Sequence, residues 1–102
     1  DLPASLSPAV HQTLRELMTQ AGRANGVVMT DDLAMDAVEQ YAQDGSAAVL
    51  AVQAGNDLLI SSDYRAQIPQ VLAAAQDGTL DTGLIDAACL RVLTWKAELG
   101  LL

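Results

Sequence analysis

The side chains best suited to chemistry lie in two short polar clusters, each at the end of an apolar run. Asp31 and Asp32 directly follow the run 26–30, and Ser61 closes the run 57–61. A positioned carboxylate can act as a nucleophile, a general base or a metal ligand. Side chains alternate along an extended segment, so only one of the two aspartates is expected to face a pocket. The other is expected to cap a helix or bond loop backbone, and spacing alone favours capping over catalysis for either.

Helices and strands alternate along the chain in the predicted order α-β-α-β-α-α. This order is typical of βαβ units around a parallel sheet, which is an α/β fold. Ligands of such sheets bind at the carboxyl ends of the strands, where both polar clusters fall. Two parallel strands cannot cover both faces and both edges, so further strands are expected to complete the sheet. The predicted strands are 26–30 and 57–61. The predicted helices are 8–21, 63–77 and 82–100, together with a stretch after residue 32 that breaks near 44–45 and has its second piece at 46–54.

Charge and composition exclude some classes of partner. The 102 residues carry a net charge of −8 with only five Lys and Arg residues, so a nucleic-acid partner is not expected. Hydrophobic residues make up 51% of the chain, yet none of the apolar runs is long enough to predict a membrane segment. The ordinary interpretation of this acidity is a well-hydrated surface. The sequence is compatible with both a cytoplasmic and an exported protein.

Four residues outside the clusters are given structural roles. His11 lies early in the first helix, away from the strand ends, and is predicted to be a surface histidine. Arg15 is expected to face water while the apolar side of that helix faces the core. Cys89, the only cysteine, sits in an apolar helical pattern and is predicted to be a buried small hydrophobe. Asp57 begins a strand, at the end opposite to the clusters, and is expected to be structural.

Four ordered motifs resemble glycoside hydrolase family 3, and most closely its bacterial β-N-acetylglucosaminidases. The resemblance covers nearly the whole chain. It departs from the family in the connector Arg23-Ala24-Asn25, where an aromatic residue is common. The motifs are Pro-Ala-Ser-Leu-Ser-Pro at 3–8, Gly-Val-Val-Met-Thr-Asp-Asp-Leu-Ala-Met at 26–35, Ala-Gly-Asn-Asp-Leu-Leu at 54–59, and a closing set of Ile85-Asp86, Arg91-Val92-Leu93, Lys96 and Leu99-Gly100-Leu101.

The resemblance implies that residues 1–102 are the C-terminal portion of a (β/α)8 TIM barrel, namely its last two strands and flanking helices. Such a segment is incomplete on its own. By the same resemblance Asp31 is the catalytic nucleophile of a retaining glycosidase, and Asp32 has a supporting role. Met35 matches a family position beside the nucleophile loop and is a candidate for the substrate pocket, with core filling as the alternative. Ser61 is a pocket candidate because it lies at the end of the second strand. The family needs no cofactor or metal, and its acid/base histidine lies upstream of this chain.

The implied activity is release of terminal β-linked N-acetylglucosamine, with peptidoglycan fragments as substrates and the remainder of the barrel as partner. The isolated chain is expected to be inactive. A family 3 β-glucosidase is an alternative, although such enzymes usually have Trp directly after the nucleophile, where this chain has Asp32. A non-catalytic acidic interaction module that shares only descent with the hydrolases is the other alternative.

Overall fold

The computed structural model describes residues 2–35, 38, 40, 41 and 46–102. Its elements follow the predicted alternation of helices and strands. The stretch between the first strand and residue 46, where the first piece of the second helix was predicted, lies largely outside the described residues. The elements are a short 3-10 helix at Ala4–Leu6, α1 at Pro8–Gln20, β1 at Met29–Asp32, α2 at Ala47–Ala54, β2 at Leu58–Ile60, α3 at Tyr64–Gln76 and α4 at Thr82–Glu98.

The helix boundaries follow from local capping chemistry. Ser7 precedes Pro8 and accepts a hydrogen bond from Val10 N at 3.2 Å, which satisfies one of the free N–H groups at the start of α1. Ser46 caps α2 in the same way, and Gly55 ends it with a φ of 117°, a conformation that favours glycine. Each of these helices differs from its predicted range by one residue at one end. Pro69 lies inside α3, beyond its first turn.

The two strands are parallel, as predicted, but each is shorter than expected and β1 starts later. Met29 pairs with Leu58 and Asp32 pairs with Ile60, so β1 has one more residue than β2 between these two paired positions. Thr30 fills this irregularity: its side chain is buried and its Oγ1 accepts the Ile60 N–H at 2.8 Å. A side-chain hydroxyl thus replaces a ladder carbonyl directly before Asp31, a local distortion of the kind found next to active sites.

The core is small and is built around α2. One side of α2 is almost all alanine, and these small side chains let the neighbouring elements pack closely against the helix. Leu33, which follows β1, is completely buried against it. The core cluster consists of Leu6, Leu33, Val38, Ala47, Ala48 and Ala51, with Leu50, Leu59 and Val71 packed against it.

The orientation of α1 differs from the expected one. His11 is 5% exposed, so its prediction as a surface histidine is wrong. Arg15 also turns inward, whereas Val10 and Leu17 are 47% and 57% exposed. The physical reason is that His11 and Arg15 lie one turn apart and both find hydrogen-bond acceptors in the segment between α2 and β2. Polar contacts therefore set the rotation of α1 in the described part of the chain.

Helix α4 is also less covered than its apolar pattern predicts. Cys89 is exposed, so its prediction as a buried residue is wrong. Leu93 and Leu99 are exposed as well, and Ala88 is the buried residue of this helix. The helix packs against α2 and pairs with Asp57 through Arg91, but Leu84, Leu90 and Trp95 are also exposed. Over the residues that the structure describes, none of the helices has the length and apolarity needed to cross a membrane.

Candidate functional site

Asp31 lies at the carboxyl end of β1, where its side chain is exposed. Two hydrogen bonds define its geometry. Its backbone N–H donates to the Ser5 hydroxyl at 3.0 Å, and its own Oδ1 accepts the N–H of Asp32 at 3.0 Å. A carboxylate that is open to solvent and carried on a hydrogen-bonded backbone can approach a ligand above the strand ends.

Asp32 is occupied by the loops instead. Its Oδ1 accepts hydrogen bonds from Ala34 N at 2.9 Å, Ser62 N at 3.1 Å and Ser62 Oγ at 3.4 Å. The backbone N–H groups of Ala34 and Ser62 hold the pKa of the Asp32 carboxyl below its ordinary value of 3.8, because they stabilise the charged form. Asp32 therefore joins the residues after β1 to those after β2. This is the loop-bonding role expected for one member of the pair.

Ser61 and Met35 lie at the same edge of the sheet. The Ser61 hydroxyl accepts the N–H of Asp63 at 3.1 Å and so shapes the turn into α3. Met35 is 44% exposed in the turn after β1, and its N–H donates to the Asp32 carbonyl at 3.2 Å. The structure thus brings Asp32 into direct contact with Ser62, a neighbour of Ser61.

A buried polar network lies beneath Asp31 and was missed in the sequence. Asn56 is 3% exposed and donates from Nδ2 to the carbonyls of Ser5, at 2.8 Å, and Ala51, at 2.9 Å. Its Oδ1 lies 2.9 Å from His11 Nε2, and His11 Nδ1 lies 2.9 Å from the Ser7 carbonyl. The signals available in the sequence were a polar residue in the first helix, His11, and a polar residue after the glycine that ends the second helix, Asn56. Neither signal names its partner.

The opposite end of β2 holds an ion cluster. Asp57 has a completely buried side chain, and its two oxygens lie 2.5 Å from Arg15 Nη2 and 2.8 Å from Arg91 Nη2. The same carboxylate accepts the Val28 N–H at 3.1 Å, which fixes the start of β1 against β2. Asp57 is therefore structural, as predicted, and it pairs with both Arg15 and Arg91.

Comparison with known proteins identifies the family. The family model described as the glycosyl hydrolase family 3 N-terminal domain matches residues 1–95. The chain belongs to glycosyl hydrolase family 3. The resemblance read from the four sequence motifs is thereby confirmed at the level of the family.

Three relatives illustrate the match. A solved β-N-acetylglucosaminidase from Paenibacillus sp. str. FPU-7 is 36% identical with a TM-score of 0.80, over 99% of this chain and 19% of that one. A family 3 glycosyl hydrolase structure from Mycobacterium smegmatis is 35% identical with a TM-score of 0.64, over 87% of this chain and 28% of that one. An uncharacterized secreted glycosyl hydrolase of Arthroderma benhamiae is 30% identical over 96% of this chain and 28% of that protein. The chain thus spans between a fifth and three tenths of the length of these relatives.

Side chains that could bind a metal ion do not cluster in the described part of this family 3 chain. No group of three or more His, Cys, Asp or Glu side chains that could hold a metal ion occurs among those residues. Asp31 and Asp32 are adjacent, but Asp32 has its Oδ1 committed to three N–H and O–H donors.

Proposed function

We propose that residues 1–102 are the C-terminal segment of the catalytic barrel of a retaining family 3 glycosidase, with Asp31 as its nucleophile. The observation that carries this proposal is the contrast within the aspartate pair. Asp31 keeps an exposed carboxylate at the carboxyl end of β1, and Asp32 is held by Ser62 and Ala34. Active sites of α/β barrels lie at this end of the strands.

The proposed reaction is a double displacement. An Asp31 oxygen attacks the anomeric carbon and forms a carbon–oxygen bond as the bond to the leaving oxygen breaks. The leaving oxygen takes the electron pair and receives a proton from an acid. Water then gives a proton back to that group, attacks the same carbon and frees the carboxylate. The acid is proposed to come from residues upstream of this chain, because the one histidine here, His11, is buried in the network beneath β1.

The proposed substrate is a terminal β-linked N-acetylglucosamine, as in peptidoglycan fragments. The support is the 36% identity to the Paenibacillus β-N-acetylglucosaminidase across almost the whole chain. Asp32 adds to it, because this chain resembles the N-acetylglucosaminidase branch at this position, where family 3 β-glucosidases usually have Trp. The test measures kcat/KM of the complete protein on an aryl N-acetylglucosaminide and on an aryl glucoside. A higher kcat/KM on the glucoside would replace the first substrate by the second.

Uncovered apolar surface supports the proposal that this segment is only part of a barrel. In the described residues β2 has β1 as its strand neighbour, and beside it lies an open apolar groove of about 550 Å³. Val10, Leu14 and Leu17 of α1 are also uncovered. The remaining strands and helices of a barrel would bury both surfaces. The groove is lined by Leu59, Ser61, Tyr64, Gln67, Ile68, Val71, Leu72, Ala75 and Ile85.

Replacement of the Asp31 carboxylate by an amide tests the proposed nucleophile. In the protein expressed from its complete open reading frame, Asp31→Asn is expected to lower kcat on an aryl N-acetylglucosaminide by about 10³-fold or more. The isoelectronic amide keeps the shape of the side chain but cannot form the covalent intermediate. Asp86→Asn, an exposed aspartate on α4, is the matched control and should retain full activity. An active Asp31→Asn variant would remove the basis of the proposal.

The isolated chain offers a second test of the same proposal. Residues 1–102 alone are expected to be inactive on that substrate, because the acid and most of the sugar contacts come from outside them. The measurement compares turnover by this chain with turnover by the complete protein at equal molar concentration. Comparable turnover would contradict the idea of a barrel segment.

A further inference from the structure

The backbone of Asp31 is tied to the beginning of the chain. Its N–H donates to the hydroxyl of Ser5, which lies 26 residues earlier in the 3-10 helix, at 3.0 Å. On the other side, the buried Thr30 hydroxyl accepts the N–H of Ile60 on β2. The peptide that carries the Asp31 side chain is thus fixed from two directions by hydroxyl groups.

Ser5 is itself held by buried groups. Its carbonyl accepts a hydrogen bond from Asn56 Nδ2 at 2.8 Å, and the second Nδ2 hydrogen bond goes to the Ala51 carbonyl at the end of α2. The orientation of this amide is set by those two acceptors, and its Oδ1 faces His11 of α1. Asn56 therefore connects α1, α2 and the 3-10 helix. Through Ser5, whose hydroxyl accepts the Asp31 N–H, these hydrogen bonds reach the backbone of Asp31.

We propose that Ser5 is a positioning residue for the nucleophile, anchored through Asn56 to the packed core. This inference rests on the proposed function of Asp31. Aspartate has a short side chain with two rotatable bonds, so the place of its carboxylate follows the place of its backbone. A displacement of about 1 Å at a reacting group can cost about 10²-fold in rate. Loss of the Ser5 hydroxyl frees the Asp31 N–H and lets the carboxylate move relative to the anomeric carbon.

The experiment compares Ser5→Ala with Ser5→Thr in the protein from its complete open reading frame. Ser5→Ala is expected to lower kcat by about 10- to 100-fold, with KM changed by less than about threefold. Ser5→Thr keeps the hydroxyl and should recover most of the rate. Amide hydrogen exchange at Asp31 should be faster in Ser5→Ala by about tenfold, because its acceptor is gone, and near wild type in Ser5→Thr.

Ser46→Ala is the matched control. It removes one serine hydroxyl that accepts a single backbone N–H, that of Val49, at the start of α2. It should leave kcat and the Asp31 exchange rate unchanged. If Ser5→Ala does not fold, Ser5→Cys gives the same comparison, since a thiol of similar size is only a weak acceptor.

Different outcomes would overturn the positioning role of Ser5 and the proposed function of Asp31. Faster exchange at Asp31 without a fall in kcat would overturn the positioning role, as would a fall in kcat with unchanged exchange. An equal loss of kcat in Ser46→Ala would also overturn it, because the effect would then be general destabilisation. Full activity of Asp31→Asn would instead overturn the proposed function, whatever the result for Ser5.

Discussion

The two ends of the β1–β2 sheet use aspartate in opposite ways. At the amino end, Asp57 is completely buried between Arg15 and Arg91 and also binds a backbone N–H of the neighbouring strand. At the carboxyl end, Asp31 is exposed, and its neighbour Asp32 bonds the loops that follow both strands. At the amino end the carboxylate holds the strands in register, whereas the carboxyl end leaves the Asp31 carboxylate exposed to solvent.

Removal of the Asp57 carboxylate should have the largest effect on stability. Asp57→Ala leaves the guanidinium groups of Arg15 and Arg91 without their shared partner, and the Val28 N–H without an acceptor. We expect the free energy of unfolding to fall by about 3 kcal/mol, the lower end of the range for broken buried pairs. Denaturant unfolding measures it. The kcat of the protein that remains folded should stay near the wild-type value.

Asp86→Ala is the control for this comparison, because it removes an exposed aspartate of α4. Its unfolding free energy should lie within about 0.5 kcal/mol of the wild type. A loss of kcat in folded Asp57→Ala with little change in stability would reverse the roles assigned to the two ends.

Thr30→Val sharpens the comparison at the strand irregularity. The variant keeps the shape of the buried side chain but removes the hydroxyl that accepts the Ile60 N–H, so a buried donor is left without its partner. The expected loss of unfolding free energy is about 1–3 kcal/mol. Thr30→Ser, which retains the hydroxyl, should lose less. An equal loss in both variants would show that packing of the methyl group, and not the hydrogen bond, matters here.

Asp32 should give the smallest effect, and it should depend on pH. The pKa of its carboxyl lies below the ordinary 3.8 in the folded protein, so its stabilising contribution is present above that value. The contribution is lost as pH falls through the lowered pKa. Unfolding free energies of wild type and Asp32→Asn should therefore converge as the solution is acidified below about pH 4. Two curves that stay parallel through the acid range would contradict this role.

The helices and the parallel order of the strands could be predicted because their signals are local. Ser7-Pro8 and Ser46 mark helix starts, and Gly55 marks a helix end, through contacts with residues three or four positions away. The family motifs likewise lie in continuous stretches of sequence. This local information was sufficient to place Asp31 and Asp32 at the carboxyl end of a strand.

The inward rotation of α1 could not be predicted, because it depends on distant partners. His11 and Arg15 meet Asn56 and Asp57, more than 40 residues later in the chain, and these contacts outweigh the apolar pattern of Val10. The exposure of Cys89 has a related cause. An apolar pattern shows that a helix has a side to bury but does not say whether the covering element belongs to the same stretch of chain.

The support of Asp31 escaped prediction for the same reason. The Ser5 motif was recognisable, but nothing in its composition indicates that its hydroxyl accepts the N–H of a residue 26 positions later. The one-residue irregularity at Thr30 depends on how β1 pairs with β2, which alternation of side chains does not encode. The location of Asp31 and Asp32 at the end of a strand could be predicted from the sequence, whereas the hydrogen bonds that hold them could not.

Covalent labelling tests whether Asp31 is the nucleophile. The complete protein is incubated with an activated fluorosugar related to N-acetylglucosamine, which slows breakdown of a glycosyl-enzyme, and is then digested for peptide mass mapping. The account predicts one sugar adduct on the peptide that contains Asp31, localised to that residue by fragmentation and absent from Asp31→Asn. An adduct on another residue, or an adduct that persists in Asp31→Asn, would contradict the assignment of Asp31 as the nucleophile.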